Sequence, residues 1–117
     1  MAVTPLQTVP PAANPTEFDR LLCAWRYQQA LWDVATYHPD VAGDLDEAES
    51  DRHCDATHEA LLAFFAHPAA DVRELAIKLN VICEVDAWSL SEAHKIMNQV
   101  ASDAHELIPA KEWRNAR

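Results

Sequence analysis

Gly43 is the only glycine in this chain of 117 residues, and this scarcity limits the possible folds more than any other feature. Tight β-hairpin turns and glycine-rich phosphate loops both need residues that adopt positive φ angles or allow a ligand close to the backbone. Half of the residues are apolar, four of them Trp and three Phe, so we expect a folded core despite a net charge of -10. The sequence therefore predicts an all-α protein.

Prolines and capping patterns divide the chain into four predicted helices, near residues 15–37, 44–67, 71–87 and 90–108. A residue suited to an N-cap, followed by Glu three positions later, precedes three of them, at Asn14, Asp71 and Ser89. Pro39, Pro68 and Pro109 stand where the first, second and fourth helices should end. Short connections between helices favour antiparallel neighbours and a four-helix up-and-down bundle.

The predicted organisation is a single helical domain with a segment at each end. Residues 1–14 contain three prolines and no apolar period, which predicts an extended N-terminal arm. Residues 15–108 form the helical domain, and residues 109–117 form a short basic C-terminal segment around Trp113. The first two helices are longer than the last two, so we expect their ends to project beyond a four-helix core and to leave apolar surface on the first helix.

Composition also bears on the compartment. The chain has no apolar run long enough to span a membrane, and its first residues lack the pattern of a signal peptide, so the expected location is the cytoplasm. Cys23, Cys54 and Cys83 are odd in number and widely spaced. They are expected to be reduced, partly buried thiols that form no disulfide.

Large apolar side chains recur along the first predicted helix at spacings of three and four residues. They are Phe18, Leu22, Trp25 and Trp32. Together with a second apolar row beside them, they cover more of the helix than one core should need. The sequence therefore predicts core or dimer-interface roles for these residues, with a homodimer formed through the first helix.

Acidic residues dominate the start of the second predicted helix. Positions 40–59 hold eight carboxylates and one basic residue, Arg52, and so carry -7 of the chain's charge. On a helix, four of these carboxylates would fall near one line about 5 to 6 Å apart, comparable to the phosphates of a nucleic-acid strand. These are Asp44, Glu47, Asp51 and Asp55. They form the predicted surface for a protein partner with a basic surface; the alternative is a solvated face that keeps the protein soluble.

Catalytic and cofactor motifs are absent from the sequence, so no cofactor is predicted. Cys54 and His58 stand four residues apart, as two metal ligands on one helix face would, but one helix cannot supply a complete site. A metal-dependent or thiol enzyme centred on the second helix remains the alternative hypothesis. Direct binding to nucleic acid or to a membrane is not expected, because the net charge is strongly negative.

The stretch from Ala60 to Leu107 contains the sequence His-Pro-Ala-Ala, then Asp-Val-Arg-Glu-Leu-Ala-Ile-Lys-Leu, Trp88 and an amphipathic segment. It resembles small uncharacterised α-helical proteins of alphaproteobacteria and their prophages. This resemblance implies a helical fold and transfers no functional residue, because no activity is assigned to that group. The functional hypothesis is therefore an acidic interaction or regulatory protein, in its sharper form a phage-derived inhibitor that mimics nucleic acid, as an anti-CRISPR-like factor would.

Overall fold

The computed structural model describes residues 15–109, and every regular element in that range is helical. Five α-helices and one short 3₁₀ helix follow one another along the chain. They are α1 (Glu17–Tyr37), α2 (Pro39–Ala42), α3 (Glu47–Ala66), α4 (Val72–Val85), the 3₁₀ helix (Ala87–Ser89) and α5 (Ala93–Leu107). The all-α prediction is confirmed. The N-terminal arm and most of the basic C-terminal segment lie outside the described residues.

Side-chain caps fix the starts of α1 and α4. Thr16 caps α1, with its hydroxyl accepting from Asp19 N at 3.1 Å and its own N–H donating to the Asp19 carboxylate at 3.3 Å. The helix therefore starts after a cap two residues later than the predicted Asn14. Asp71 caps α4 as predicted, accepting from Glu74 N at 2.8 Å. These bonds satisfy backbone donors that have no partner inside the helix.

The predicted cap at Ser89 is wrong. Residues 87–89 form the 3₁₀ helix, and α5 begins at Ala93 without a side-chain cap. The cause lies upstream, where Asp86 ends α4 in the left-handed conformation with φ 53° and so changes the direction of the chain. The Ser89 hydroxyl then donates to Asp86 O at 2.7 Å, and therefore does not cap α5.

The loop before α3 explains where the single glycine is used. Gly43 has φ 85° and follows α2, a one-turn helix that the sequence did not predict. Glycine adopts this backbone region at little cost, whereas other residues would be strained there. Asp46 then caps α3 by accepting from Glu49 N at 2.7 Å. As a result α3 begins at Glu47, and Asp44 lies in the loop.

The two longest helices, α1 and α3, pack against each other in opposite directions. The ring of Phe18 lies 5.1 Å from that of Phe64, near the start of α1 and the end of α3. Further along α1, Gln28 O accepts from the Thr57 hydroxyl at 3.3 Å. Further still, Trp32 stacks near His53, with ring centroids 5.8 Å apart. As residue numbers rise along α1, the residue numbers of the contacts in α3 fall, so the two helices are antiparallel.

The hydrophobic core lies where the C-terminal half of α3 meets α1, α4 and α5. The buried residues of α3 are Leu61, Phe64 and Phe65, which confirms that only this half of the helix supplies core. The other members of the core are Phe18, Trp25, Ala69, Leu75, Val81, Ile82, Ala87, Ile96 and Val100. Burial of these side chains supplies most of the stabilisation of such a small domain, at about 1.5 to 3 kcal/mol for each large aliphatic or Phe side chain.

A buried ion pair joins α4 to α5 inside this core. Lys78 is 0% exposed and Asp103 is 2% exposed, and their charged groups lie 2.6 Å apart. The Lys78 ammonium also donates to Phe65 O at 3.0 Å and to His67 O, two carbonyls at the end of α3. One lysine therefore links three helices and satisfies acceptors that the end of α3 leaves free.

The far ends of α1 and α3 project past the end of α4. Near that end, Arg26 of α1 forms an ion pair with Glu84. Beyond it, α1 packs on α3 and on α2, and its main contacts include neither α4 nor α5. The antiparallel pair thus carries α2 and the loop 43–46 at the end remote from Phe18 and Phe64.

Candidate interaction surfaces

The first candidate surface is the acidic face at the start of α3. Glu47, Asp51 and Asp55 occupy successive i, i+4 positions of the helix, and all three are exposed. Each step of four residues advances about 6 Å along the helix and turns about 40° around it. The three carboxylates therefore form a slanted row that starts at the projecting tip.

Asp44 does not extend this row along the helix. It lies in the loop before the Asp46 cap, so the prediction of four carboxylates on one helical line is wrong at this position. Asp46, two residues after Asp44, caps the helix instead, and its bond to Glu49 N fixes the first turn of α3. Asp44 is nevertheless exposed beside the start of the row, because only two residues separate it from Glu47.

Within residues 15–109, these carboxylates have no basic partner. Among residues 15–109, none of the eight acidic side chains between Asp40 and Glu59 forms an ion pair with Lys, Arg or His. Arg52 lies in the same segment, is exposed and pairs with none of them. Exposed charges of one sign produce a field that reaches about 10 Å at 0.1 M salt. The end of the helix pair that holds these carboxylates, residues 40–59, is called the acidic tip below. It therefore presents a concentrated negative field to solvent.

The residues predicted to mediate self-association are divided between core and surface. Phe18 and Trp25 are each 1% exposed and belong to the core, so neither can contact a second copy in this fold. Leu22 and Trp32 are partly buried, and Leu22 packs against the core. Of the two predicted roles, core or dimer interface, Phe18 and Trp25 have the first, because the apolar side of α1 that carries them packs against α3.

A second apolar face lies on the outside of α1; the sequence predicted uncovered apolar surface on this helix but did not place it at Tyr27, Val34 and Tyr37. Tyr27 is 63% exposed and Tyr37 72%, while Leu31 and Val34 are each 38% exposed. The sequence does contain a signal for this face, because Tyr27, Ala30, Val34 and Tyr37 follow one another at steps of three, four and three residues. It was overlooked because the larger side chains Phe18, Trp25 and Trp32 occupy the other side of the same helix.

A small cleft lies at the base of the projecting pair. It has a volume of about 190 Å³ and is lined by Trp25, Gln29, Trp32, Cys54, Thr57, His58, Leu61 and Val85. Trp25 Nε1 is buried and has no hydrogen-bond acceptor among the residues that the structure describes. The volume is below the range of about 300 to 1000 Å³ that is typical of small-molecule pockets. The cleft is therefore a minor feature beside the two surfaces.

Cys54 and His58 are not brought together with further ligands. Cys54 is an exposed free thiol, whereas His58 Nε2 lies 3.1 Å from Glu92 Oε1 at the start of α5. Hydrogen bonding from His58, with a smaller contribution from Ser91, lowers the pKa of Glu92 below its ordinary value of 4.5. In the described part of the chain, no group of three His, Cys, Asp or Glu side chains is placed to hold a metal ion.

The remaining cysteines also differ from expectation. Cys23 and Cys83, like Cys54, are unpaired and exposed. The expectation of partly buried thiols is therefore wrong, whereas the expectation of unpaired thiols agrees with the structure.

No helix within residues 15–109 combines the length and the apolar character that a membrane span needs.

Comparison of the chain with protein-family models, with curated proteins and with solved structures finds no match. The function must therefore be argued from the two surfaces themselves.

Proposed function

We propose that the protein is a small acidic interaction or regulatory protein that binds a basic surface of another protein through Asp44, Glu47, Asp51 and Asp55. The observation that carries the proposal is the row of exposed carboxylates at the end of the helix pair, for which the described residues supply no basic partner. A purely solubilising charge needs no particular position. A binding surface needs charges held in fixed relative positions, and a helix packed on α1 supplies that.

The fold suits this role because the charged end is separate from the core. The antiparallel contacts of α1 with α3 support the proposal of an up-and-down bundle in which α1, α3, α4 and α5 alternate in direction. We propose the extended arm over residues 1–14 from the sequence alone. Only the ends of α1 and α3 nearest the core pack on the rest of the bundle. A partner can therefore contact the tip from several sides without disturbing the packed end.

In its sharper form, the proposal is that the acidic row mimics nucleic acid and inhibits a protein that handles DNA or RNA, as a phage-derived inhibitor would. Carboxylates about 6 Å apart along a helix offer regularly spaced negative charge to a basic groove. We further propose that the protein acts in the cytoplasm. Its three exposed, unpaired thiols suit a reducing compartment.

The experiment compares two variants that each remove four negative charges. The test variant is D44N/E47Q/D51N/D55N, and the control variant replaces four exposed carboxylates elsewhere, E17Q/E84Q/D86N/E106Q. A partner is first recovered from nuclease-treated lysate, so that nucleic acid cannot bridge the two proteins. Its association rate with each variant is then measured at low and at physiological salt.

We expect the test variant to lose association rate by about tenfold or more, since electrostatic steering accelerates encounter by about 10 to 10³-fold. Its remaining rate should depend little on salt. The control variant should stay close to the parent in rate and in salt dependence. If both variants bind as the parent does, or if both lose the same amount, the acidic row is only a solvated face and the proposal is wrong.

A further inference from the structure

The outer face of α1 has the pattern of a helix–helix interface. Cys23, Tyr27, Ala30, Val34 and Tyr37 follow one another at steps of four, three, four and three residues, which we call the outer stripe. This is the spacing of the a and d positions in two heptads. Leu31 and Ala24 lie beside it and widen the apolar surface. Such a regular seam is typical of helices that pack along their whole length.

The outer stripe points away from the core of its own chain. Tyr27 and Val34 follow Trp25 by two and nine residues, so at 100° per residue they lie about 160° and 180° around the helix from it. Trp25 is buried against α3, and the stripe is therefore on the solvent side. Every member of the stripe is exposed, and no other described helix covers it.

The size of the surface indicates what it can bind. A Tyr side chain buries roughly 150 to 250 Å² when it is covered completely, and the exposed fractions of Tyr27 and Tyr37 are 63% and 72%. With the smaller side chains the patch measures roughly 400 to 500 Å², within the range of about 300 to 600 Å² for the largest apolar patch of a monomer, a patch that is often functional. Two such patches would remove roughly 800 to 1000 Å² from water, the range of weak interfaces.

We propose that the outer stripe binds the same stripe of a second copy of this chain, with the two α1 helices antiparallel and the twofold axis beside Ala30. The stripe is centred on Ala30, so when the direction of the helix is reversed its two ends exchange places and its inner positions 27 and 34 fall within about one residue of each other. A small residue at the centre allows the two backbones to approach to about 8 Å. Tyr27 then lies next to Val34 of the second copy, and Cys23 next to its Tyr37.

The charges along α1 select the antiparallel direction. In the N-terminal half, Arg20 pairs with Glu17 and Arg26 pairs with Glu84, so these charges are balanced. The C-terminal half carries Asp33 and leads into the acidic tip, which has no cationic partner in the described residues. A parallel pair would place two acidic tips side by side. The antiparallel pair places them at opposite ends, where their repulsion is small.

One cross-helix contact follows from this arrangement. Arg26 and Asp33 lie seven residues apart on the same flank of the stripe, and in an antiparallel pair like flanks face each other. With the axis beside Ala30, Arg26 faces Asp33 of the second copy, and the contact occurs twice. The dimer does not depend on the proposed function, but it would display two acidic tips pointing in opposite directions.

The first test measures mass as a function of concentration, by sedimentation equilibrium of the full chain, for the parent, A30E and A76E. Ala30 and Ala76 are both exposed residues within helices, so the two substitutions are matched in chemistry and in effect on the monomer. Circular dichroism establishes that both variants remain folded. We expect the parent to dimerise at micromolar concentration, A76E to match it, and A30E to dimerise at least about tenfold more weakly, because two carboxylates would face each other at the axis.

A parent that stays monomeric at high micromolar concentration overturns the proposal. So does equal dimerisation of A30E and the parent, or a loss of dimer in A76E alone, which would place the interface on α4.

The second test determines the direction of the helices. In a C54S/C83S background, Cys23 is the only thiol, and a parallel pair would bring two copies of it together whereas the antiparallel pair would not. Addition of Y37C places a second thiol beside Cys23 of the other copy in the antiparallel pair. We expect mild oxidation to crosslink the Y37C protein and not the protein with Cys23 alone. Crosslinking through Cys23 alone, or through neither, would contradict the antiparallel arrangement.

Discussion

Replacement of Asp103 by Ala tests the buried ion pair between α4 and α5. The substitution leaves the Lys78 ammonium, 0% exposed, with only the carbonyls of Phe65 and His67 as partners. It also removes the acceptor of Gln99 Nε2, which donates to Asp103 Oδ1 at 2.9 Å. An uncompensated buried charge typically costs about 3 to 5 kcal/mol.

That loss is large for a protein of this size. At about 0.05 to 0.15 kcal/mol per residue, the whole chain is expected to have a free energy of unfolding of roughly 6 to 18 kcal/mol. A loss of this size should lower the melting temperature by roughly 10 to 20 °C. Urea unfolding followed by circular dichroism measures the change directly. The control D51N removes an exposed, unpaired carboxylate and should change stability by less than about 0.5 kcal/mol.

The double variant K78M/D103L tests whether the two charges act as a pair. It removes both charges, so no buried charge is left alone; the two carbonyls at the end of α3 lose a donor, and Gln99 Nε2 loses an acceptor. We expect it to be destabilised by clearly less than the sum of the single variants K78M and D103L, since residues in contact do not contribute additively. The reasoning is refuted if D103A costs less than about 1 kcal/mol, or if the separate losses simply add in the double variant.

The remaining predictions concern a surface contact, the thiols and the core. The pKa of Glu92 is lowered in the folded protein, so its contribution to stability is present above the ordinary value of 4.5 and is lost as the pH falls through the folded value. The stability difference between the parent and E92Q, from urea unfolding, should therefore shrink below that pH; a difference that stays constant into strong acid contradicts the His58 contact. Cys23, Cys54 and Cys83 should all react with a disulfide reagent in the native protein without denaturant, and a count below three would mean that at least one is protected or paired. F64A should cost about 3 to 5 kcal/mol, because Phe64 is 0% exposed and contacts the rings of Phe18 and Phe65. W88A, at a site 61% exposed, is its control, and similar losses in the two variants would place Phe64 outside the core.

The positions of the main helices could be predicted from local signals. Pro39 and Pro68 exclude continuation of a helix, and Asp71 caps α4, because these effects act over one turn of the backbone. Where two local signals competed, the prediction was wrong. Ser89 could cap a helix or bond to Asp86 O, and the left-handed residue at Asp86 decided for the second.

The candidate surfaces were only partly predictable. The acidic row follows from composition, because clustered charges are exposed in almost any fold. The roles of the apolar residues of α1 do not follow, because Trp25 and Tyr27 are both aromatic and both fit a helical repeat. Their assignment depends on which side of α1 meets α3, and the Phe18–Phe64 contact settles it.

The sequence by itself determined that the chain is helical, where most of its helices begin and end, and that its negative charge is concentrated in residues 40–59. The tertiary structure alone decided that Lys78 and Asp103 are buried together, that Cys54 and His58 have no third ligand among residues 15–109, and that Tyr27 faces solvent. The physical reason is the separation along the chain over which each kind of interaction acts. Caps, prolines and charge density act between residues close in the chain, whereas burial and ion pairing depend on residues that lie 25 or more positions apart, as Lys78 and Asp103 do.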